Sequence, residues 1–311
     1  MVTHSAGTGC GDEAARSALA WYEIGAVLSV ERLPAGQPAV RKVTTSGGTY
    51  LLKPAGRPAE VALLAQLPAL SAHGIRQPDV IRTAAGQLIS PDGFFLQEFL
   101  AGEPELEPSA GQVRAVMRAV GELHVALGRR APGYQPDRDS VFEQVTDSGF
   151  LIAELPVLLR RYQLTTEPAL TAIDCLAEHE AALGALPRQL VHGDIGPDNV
   201  LLAGDQVVAI IDFTPHVLPV LLAASTALYW FHVYGRRTVL ATSLAASRAA
   251  IAEARPWPAA ERELWGAGLA WEGLRRLATT LELARRAGTE PGPAVRTRIA
   301  AVEAICRLIP R

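Results

Sequence analysis

The feature that most constrains this chain is a polar segment enclosed by two short apolar runs near residue 200. The first run, Gln189 to His192, leads into a Gly-Asp pair, and the second, Val207 to Ile211, is followed by Asp212. Apolar runs of this length beside turn-forming residues are typical of buried strands. Between them lies Asn199, the one asparagine in 311 residues. A polar turn capped by its own Asp and Asn side chains is one interpretation of this pattern.

A second interpretation is chemical and rests on the spacing of three oxygen-bearing side chains. Asp194 precedes Asn199 by five residues, and Asp212 follows Asn199 by thirteen. Phosphoryl transfer needs one carboxylate that orients the acceptor hydroxyl and takes its proton, the role we assign to Asp194. It also needs hard oxygen ligands for Mg²⁺, the role we assign to Asn199 and Asp212. The spacing therefore predicts a site for a nucleoside triphosphate, ATP or GTP, with magnesium.

The same residues carry a resemblance to a known family. The run His192 to Asp194, then Asn199, then the run Ile211 to Phe213 resemble the catalytic and metal-binding segments of the aminoglycoside phosphotransferase family. These enzymes are relatives of protein kinases that phosphorylate small molecules. Protein kinases have His-Arg-Asp as the first motif, so the glycine at position 193 favours the small-molecule branch.

The resemblance implies an α+β fold of the protein-kinase type with two lobes. We expect a small N-terminal lobe of five antiparallel strands and one main helix over residues 1–100. We expect a larger, mostly helical lobe over residues 101–311, with the catalytic loop and the acceptor-binding helices. Residues 1–11 are expected to be mobile, and residues 215–311 read as helical throughout.

A lysine and a glutamate in the small lobe match the residues that hold the nucleotide phosphates in kinases. Lys53, one of only two lysines, closes the strand-like run Gly48 to Lys53. Glu60 lies in a helix that Pro58 can begin and resembles the glutamate that orients this lysine. Arg57 competes for Glu60 as an ordinary local helix pair.

Three further nucleotide contacts follow from the resemblance alone. Gly36 falls where the family has the loop over the phosphates. Glu98 and Leu100 fall at the expected hinge, where backbone groups would bind adenine. A hairpin turn and a buried strand explain the same residues equally well.

The acceptor is predicted to bind in the C-terminal region. Residues 215–311 contain 13 arginines, seven glutamates and neither aspartate nor lysine, a composition that does not suit a polycationic aminoglycoside. We therefore expect a neutral, zwitterionic or weakly cationic hydroxyl compound, such as an antibiotic or other natural product, an amino sugar or an amino alcohol. The candidate contacts, each of which packing also explains, are Asp198, His216, Tyr229, His232, Trp271 and Glu272.

The remaining properties fit a cytoplasmic enzyme. A net charge of −3 implies no nucleic-acid partner, and no signal peptide or membrane span is apparent. The sequence leaves the oligomeric state open. It also leaves two alternatives to a small-molecule kinase: a kinase of Ser or Thr hydroxyls in a precursor peptide, and a nucleotide-binding pseudokinase.

Overall fold

The structure is a computed structural model that describes residues 8–33, 39–67, 76–129, 134–137, 140–236 and 240–308. The chain divides into two compact units, residues 1–102 and residues 103–311, called the first and the second unit below. Of the start predicted to be mobile, residues 1–7 lie outside the described residues, and a helix begins at Thr8.

In its described residues, the first unit consists of a five-stranded antiparallel sheet and two helices. Its strand order is β1-β2-β3-β5-β4. Helix α1 covers one face of the sheet, where Ala18 and Leu19 pack with Leu52 and Leu96. Helix α2 begins at Pro58, whose fixed φ suits the first helical position. The elements are α1 (Thr8–Leu19), β1 (Val27–Arg32), β2 (Arg41–Thr45), β3 (Gly48–Pro54), α2 (Pro58–Leu64), β4 (Val80–Ile81) and β5 (Phe94–Glu98).

The second unit is mostly helical. Its first long helix, α3, starts at a capping box in which Ser109 and Gln112 satisfy each other's backbone N–H groups. The helices are α3 (Ala110–Gly128), α4 (Val141–Gln144), α5 (Ser148–Ala153), α6 (Leu155–Arg161), α7 (Glu167–Gly184), α8 (Val220–Leu228), α9 (Ala241–Ala254), α10 (Ala259–Glu263), α11 (Trp265–Ala287) and α12 (Ala294–Cys306).

Two small β structures carry the polar segment of the sequence. Strands β8 (Val200–Ala203) and β9 (Gln206–Ile210) form a hairpin, which β6 (Glu103–Pro104) extends. Strand β7 (Arg188–His192) pairs with β10 (Pro215–Pro219) in antiparallel register.

The prediction that residues 215–311 are helical throughout is wrong for the first five of them, which form strand β10. In the apolar run from Val217 to Phe231, the residues up to Pro219 belong to strand β10, and the helix begins only at Val220. A short buried strand and a buried helix give the same uninterrupted apolar pattern, so the sequence could not separate them. The run ends in a π-helical turn, Tyr229–Val233. Among the described residues, no helix is both long and apolar enough to span a bilayer.

Candidate active site

His192 braces the two loops that carry the candidate catalytic residues. Its Nδ1 accepts hydrogen bonds from the backbone N–H groups of Asp194, at 3.2 Å, and Thr214, at 3.4 Å. The proton therefore lies on Nε2, which donates to the Ile211 carbonyl at 3.2 Å. Burial lowers the pKa of His192 to about 4, so the ring is neutral at physiological pH.

The β8–β9 hairpin brings Asn199 and Asp212 together at its open end. Asn199 closes the 3₁₀ turn Pro197–Asn199 directly before β8, and Asp212 follows the end of β9. The N–H of Ile211 donates to the Asn199 carbonyl at 2.8 Å and ties the two segments together. The Asn199 side chain donates through Nδ2 to the Asp194 carbonyl at 2.7 Å. The three predicted oxygen-bearing residues thus lie on two loops joined by hydrogen bonds.

Asp212 adopts a left-handed backbone conformation, with φ of 54°. Aspartate tolerates this region better than most residues, but the conformation remains uncommon outside glycine. Such conformations persist where the surrounding structure enforces them, often at functional sites. Here the enforcing contacts are those of the neighbouring residues Ile211 and Thr214 with Asn199 and His192.

The Asp194 carboxylate is held by two donors that the sequence analysis missed. Its Oδ1 accepts from Arg276 Nη2 at 2.6 Å and from Trp230 Nε1 at 3.1 Å. The Arg276 guanidinium also lies over the Trp230 ring, 4.8 Å from its centroid. The Asp194 side chain keeps 38% of its surface exposed, whereas that of Arg276 keeps only 12%. The carboxylate is therefore open to solvent on one side and fixed on the other.

Behind Arg276 lies a buried ion-pair network on α11. Glu272 is fully buried and accepts from Arg276 Nε at 2.6 Å, Arg275 Nε at 2.7 Å and Thr226 Oγ1 at 3.1 Å. Arg275 also donates through Nη2 to the Gly193 carbonyl at 3.3 Å. The network thus contacts the loop after β7 at two points, the Asp194 side chain and the Gly193 carbonyl.

These contacts keep both carboxylates of the network ionised. Burial alone would raise the pKa of Asp194, but the Arg276 charge and hydrogen bond hold it below its usual value. Burial would likewise raise the pKa of Glu272, and the charges of Arg275 and Arg276 lower it instead. Arg276 responds in the opposite sense, because Glu272 and Asp194 raise its pKa against the effect of burial.

Gly193 is required by the close approach of His216. A Cβ at position 193 would lie 1.9 Å from His216 Cδ2, far inside any normal contact. The His216 ring cannot easily move, since it is buried and its Nδ1 lies 2.6 Å from Glu143 Oε1. His216, predicted as an acceptor contact, therefore packs against Gly193, the residue before Asp194.

The other predicted acceptor residues lie at different depths. Tyr229 and Trp271 are fully buried, and Trp271 Nε1 donates to the Thr146 carbonyl at 3.1 Å. His232 Nε2 lies 2.7 Å from Ser247 Oγ. Asp198 is exposed, and a Cβ at Gly196 would lie 3.0 Å from Asp198 Oδ1 and 3.4 Å from Trp230 Cγ. The structure thus places Asp198 near the Asp194 loop and Glu272 behind it.

In the first unit, Lys53 and Glu60 lie on β3 and α2. Lys53 is partly buried and stands opposite Phe95 in the sheet. Side chains alternate along a strand, so Lys53 points away from the face that buries Leu52 under α1. Glu60 lies in the first turn of α2, where its Oε1 is 3.2 Å from Arg57 Nη1, the local pair noted in the sequence.

The predicted hinge residues lie at the end of β5. The Glu98 N–H donates to the Asp79 carbonyl at 2.8 Å, and its carboxylate forms an ion pair with Arg76. Leu100 is buried. Gly36 lies outside the described residues.

Comparison with known proteins supports this architecture. An APH model, described as a phosphotransferase enzyme family, matches residues 29–257. A homoserine kinase of Methylobacterium nodulans is 31% identical over 216 residues, which cover 65% of this chain and 64% of that protein. A microcompartment-associated aminopropanol kinase superposes with a TM-score of 0.66 at 18% identity, covering 95% of both chains. The amicoumacin kinase hAmiN, solved with AMP-PNP, Ca²⁺ and Ami, gives 0.65 at 16% identity, covering 94% of this chain and 93% of that one.

The antiparallel sheet, the helical second unit and the paired loops define a fold of the protein-kinase type, which confirms the predicted fold class. Because the family model spans most of the sequence, the chain belongs to the APH phosphotransferase family. The family predicted from the motifs is therefore confirmed.

The packing of His216 against Gly193 yields a first prediction. We expect Gly193→Ala to lower the melting temperature and to reduce phosphate transfer by about 100-fold, because the loop must shift to admit the methyl group. Calorimetry and a turnover assay measure the two effects. Gly184→Ala, at the end of α7 with nothing within 4 Å of the added methyl group, is the control; it should leave turnover unchanged and should not lower the melting temperature, because alanine favours a helix more than glycine does. Wild-type behaviour of Gly193→Ala would contradict the packing argument.

Buried neutral histidines yield a second prediction. Burial lowers the pKa of His124 to about 3 and those of His192 and His232 to about 4. Between about pH 6.5 and pH 4 the unfolded chain therefore binds more protons, and the free energy of unfolding falls as the pH falls. His124→Leu should weaken this dependence by up to about 1.4 kcal/mol per pH unit. Urea unfolding of both proteins from pH 7 to 4.5 measures it, and equal slopes would contradict the assignment.

Proposed function

We propose that this protein transfers the γ-phosphate of ATP or GTP to a hydroxyl group of a small molecule. The observation that carries the proposal is the grouping of Asp194, Asn199 and Asp212 on two loops that hydrogen bonds join. One of these side chains can orient a hydroxyl and the other two offer metal ligands. Phosphoryl transfer depends mainly on positioning and charge, so a rigid set of oxygen atoms is the main requirement.

Asp194 is proposed to receive the acceptor. Its Oδ1 is occupied by Arg276 and Trp230, and among the described residues no donor is bonded to Oδ2. An acceptor hydroxyl can therefore donate its hydrogen bond to Oδ2 and be held for attack. Because the pKa of Asp194 is lowered, it is ionised over the whole physiological range and ready to accept that bond.

Asn199 and Asp212 are proposed to hold magnesium, and the donor set fits this ion. The Asn199 amide nitrogen is engaged with Asp194, which leaves Oδ1 as its coordinating atom; that oxygen has no hydrogen-bond partner in the described part of the chain. One amide and one carboxylate are few ligands, as suits an ion that keeps most of its water. When bound, Mg²⁺ neutralises charge on the phosphate oxygens.

The remaining nucleotide contacts are assigned from family membership. Lys53 is proposed to bind the α- and β-phosphates and Glu60 to orient it. Backbone groups at Glu98 and Leu100 are proposed to contact the base, and Gly36 the phosphates. Partial burial of Lys53 on the sheet face opposite α1 supports its assignment.

The acceptor is proposed to be small and not polycationic. The carboxylate that would orient it is already paired with a guanidinium, so an additional ammonium group beside Asp194 would meet the charge of Arg276. The similarity to a homoserine kinase points to zwitterionic amino alcohols as the first candidates. Asp198, exposed beside Gly196, is proposed as a carboxylate that an acceptor amine can pair with.

The test is a panel assay. The protein is incubated with Mg·ATP or Mg·GTP and with L-homoserine, aminopropanol, choline, an amino sugar, an aminoglycoside and Ser/Thr peptides, and products are read by mass spectrometry. We expect a phosphorylated small zwitterion or amino alcohol and no aminoglycoside product. Phosphorylation of the peptides alone would favour a peptide kinase, and nucleotide binding without any product would favour a pseudokinase.

Two aspartate variants separate the proposed roles and form a third prediction. Asp212→Ala should lose metal-dependent nucleotide binding, whereas Asp194→Ala should bind nucleotide normally and lose at least about 100-fold in turnover. Titration calorimetry with and without Mg²⁺ measures binding, and the product assay measures turnover. Asp205→Ala is the matched control, since Asp205 is exposed at the opposite end of the same hairpin. Full turnover in Asp194→Ala would rule out its role.

A further inference from the structure

Helix α11 contains the pattern Glu-x-x-Arg-Arg twice, at residues 272–276 and 282–286. In both copies the second arginine donates through Nε to the glutamate four residues earlier, at 2.6 Å and 2.9 Å. Ten residues rotate the second copy by about 80° around the helix, which changes the face it occupies. The guanidinium side chains of the second copy are at least 40% exposed, while those of the first are at most 12% exposed. One motif thus occurs in two environments.

The two copies differ in what the other end of the guanidinium reaches. Arg286 donates through Nη2 to Oε1 of Gln144 on α4 at 2.7 Å, and Gln144 is half-buried. Arg276 donates through Nη2 to Asp194 Oδ1 at 2.6 Å. The planar guanidinium therefore forms a rigid bridge between the buried Glu272 and the candidate catalytic carboxylate.

This bridge completes the fixation of Asp194. The backbone N–H of Asp194 is bonded to His192, and its carbonyl to Asn199. At the side chain, Arg276 and Trp230 donate to the same oxygen from two different elements, α11 and the π-helical turn. Two donors on one oxygen define both the plane of the carboxylate and which oxygen remains available.

We propose that Arg276, anchored by Glu272, is a positioning residue that sets the orientation of Asp194 and presents Oδ2 to the acceptor hydroxyl. The proposal rests on the phosphotransferase function proposed above. Arg276 itself need not touch the acceptor. A lysine could supply charge, but its single nitrogen cannot reproduce a planar fork whose two nitrogens serve two carboxylates.

The first test needs no substrate. The indole N–H of Trp230 reports on Asp194 because it donates to the same oxygen as Arg276. Its resonance is identified in a ¹H–¹⁵N spectrum by its loss in Trp230→Phe. We expect this resonance to shift or broaden in Arg276→Gln and in Asp194→Ala, and to stay in place in Arg286→Gln. An unchanged Trp230 signal in folded Arg276→Gln would overturn the proposal.

The second test is kinetic and uses the panel compound that the wild-type protein phosphorylates fastest. We expect Arg276→Gln to lower kcat about 100-fold while the KM for nucleotide changes less than about threefold, the pattern of a misplaced Asp194. Arg276→Lys should recover part of the loss, and Arg286→Gln should match the wild type. Full activity in Arg276→Lys would show that charge alone is needed and would overturn the orientation argument.

Two outcomes need a second measurement: an Arg276→Gln variant that does not fold, and a wild-type protein that phosphorylates no acceptor. If Arg276→Gln fails to fold, which circular dichroism shows, Arg276→Lys carries both tests, because it keeps a cation beside Glu272. In that variant we expect a displaced Trp230 resonance and a lowered kcat, and the absence of both contradicts the proposal. If the wild type phosphorylates no acceptor, the proposed function fails, while an unchanged Trp230 resonance in folded Arg276→Gln would still overturn the positioning role of Arg276.

Discussion

The ion pair between Asp194 and Arg276 is the contact on which the candidate site depends. It joins a loop residue to a helix 82 positions further along the chain, and it is itself supported by the fully buried Glu272. Buried charges are tolerated only when they are paired, and removing one partner of a buried pair such as Glu272 and Arg276 typically costs about 3–5 kcal/mol. The packing of α11 against the loop that carries Asp194 therefore depends on the charges of Asp194, Arg276 and Glu272. A substitution that breaks the Asp194–Arg276 pair would leave the Asp194 carboxylate unpaired and remove a contact that orders this loop.

A second, uncharged set of contacts fixes the segment that carries the proposed metal ligands. His192 is neutral because it is buried, and only a neutral ring can accept at Nδ1 while donating at Nε2. It therefore holds the Asp194 loop and the segment after β9 with one side chain. Asn199 repeats this bridging role through its amide group. An ion pair orients the Asp194 carboxylate, while neutral hydrogen bonds set the spacing of the proposed metal ligands.

The sequence predicted those parts of the site that lie close together along the chain. Asp194, Asn199 and Asp212 fall within 19 consecutive residues, so their spacing alone carried the inference. The helix beginning at Pro58 was also predictable from its proline and apolar face, whereas the five-stranded sheet was expected from the resemblance to the family. Strand β10 was missed because an apolar run gives no period when both faces are buried.

Trp230 and Arg276 could not be predicted, although a signal was present. The pattern Glu-x-x-Arg-Arg on α11 occurs twice, and only its burial distinguishes the copy that holds Asp194 from the copy that is exposed. Burial depends on how α11 packs, which no local pattern specifies. The arginine surplus of residues 215–311 led to the expectation of an acceptor that is not polycationic. In the structure, Arg276 places its guanidinium next to Asp194, whereas the other arginines described on α11 form ion pairs with glutamates of the same helix. The electrostatic character of an acceptor site follows from its nearest paired charges, so the composition of a whole segment is informative only when one of its charges reaches the reacting groups.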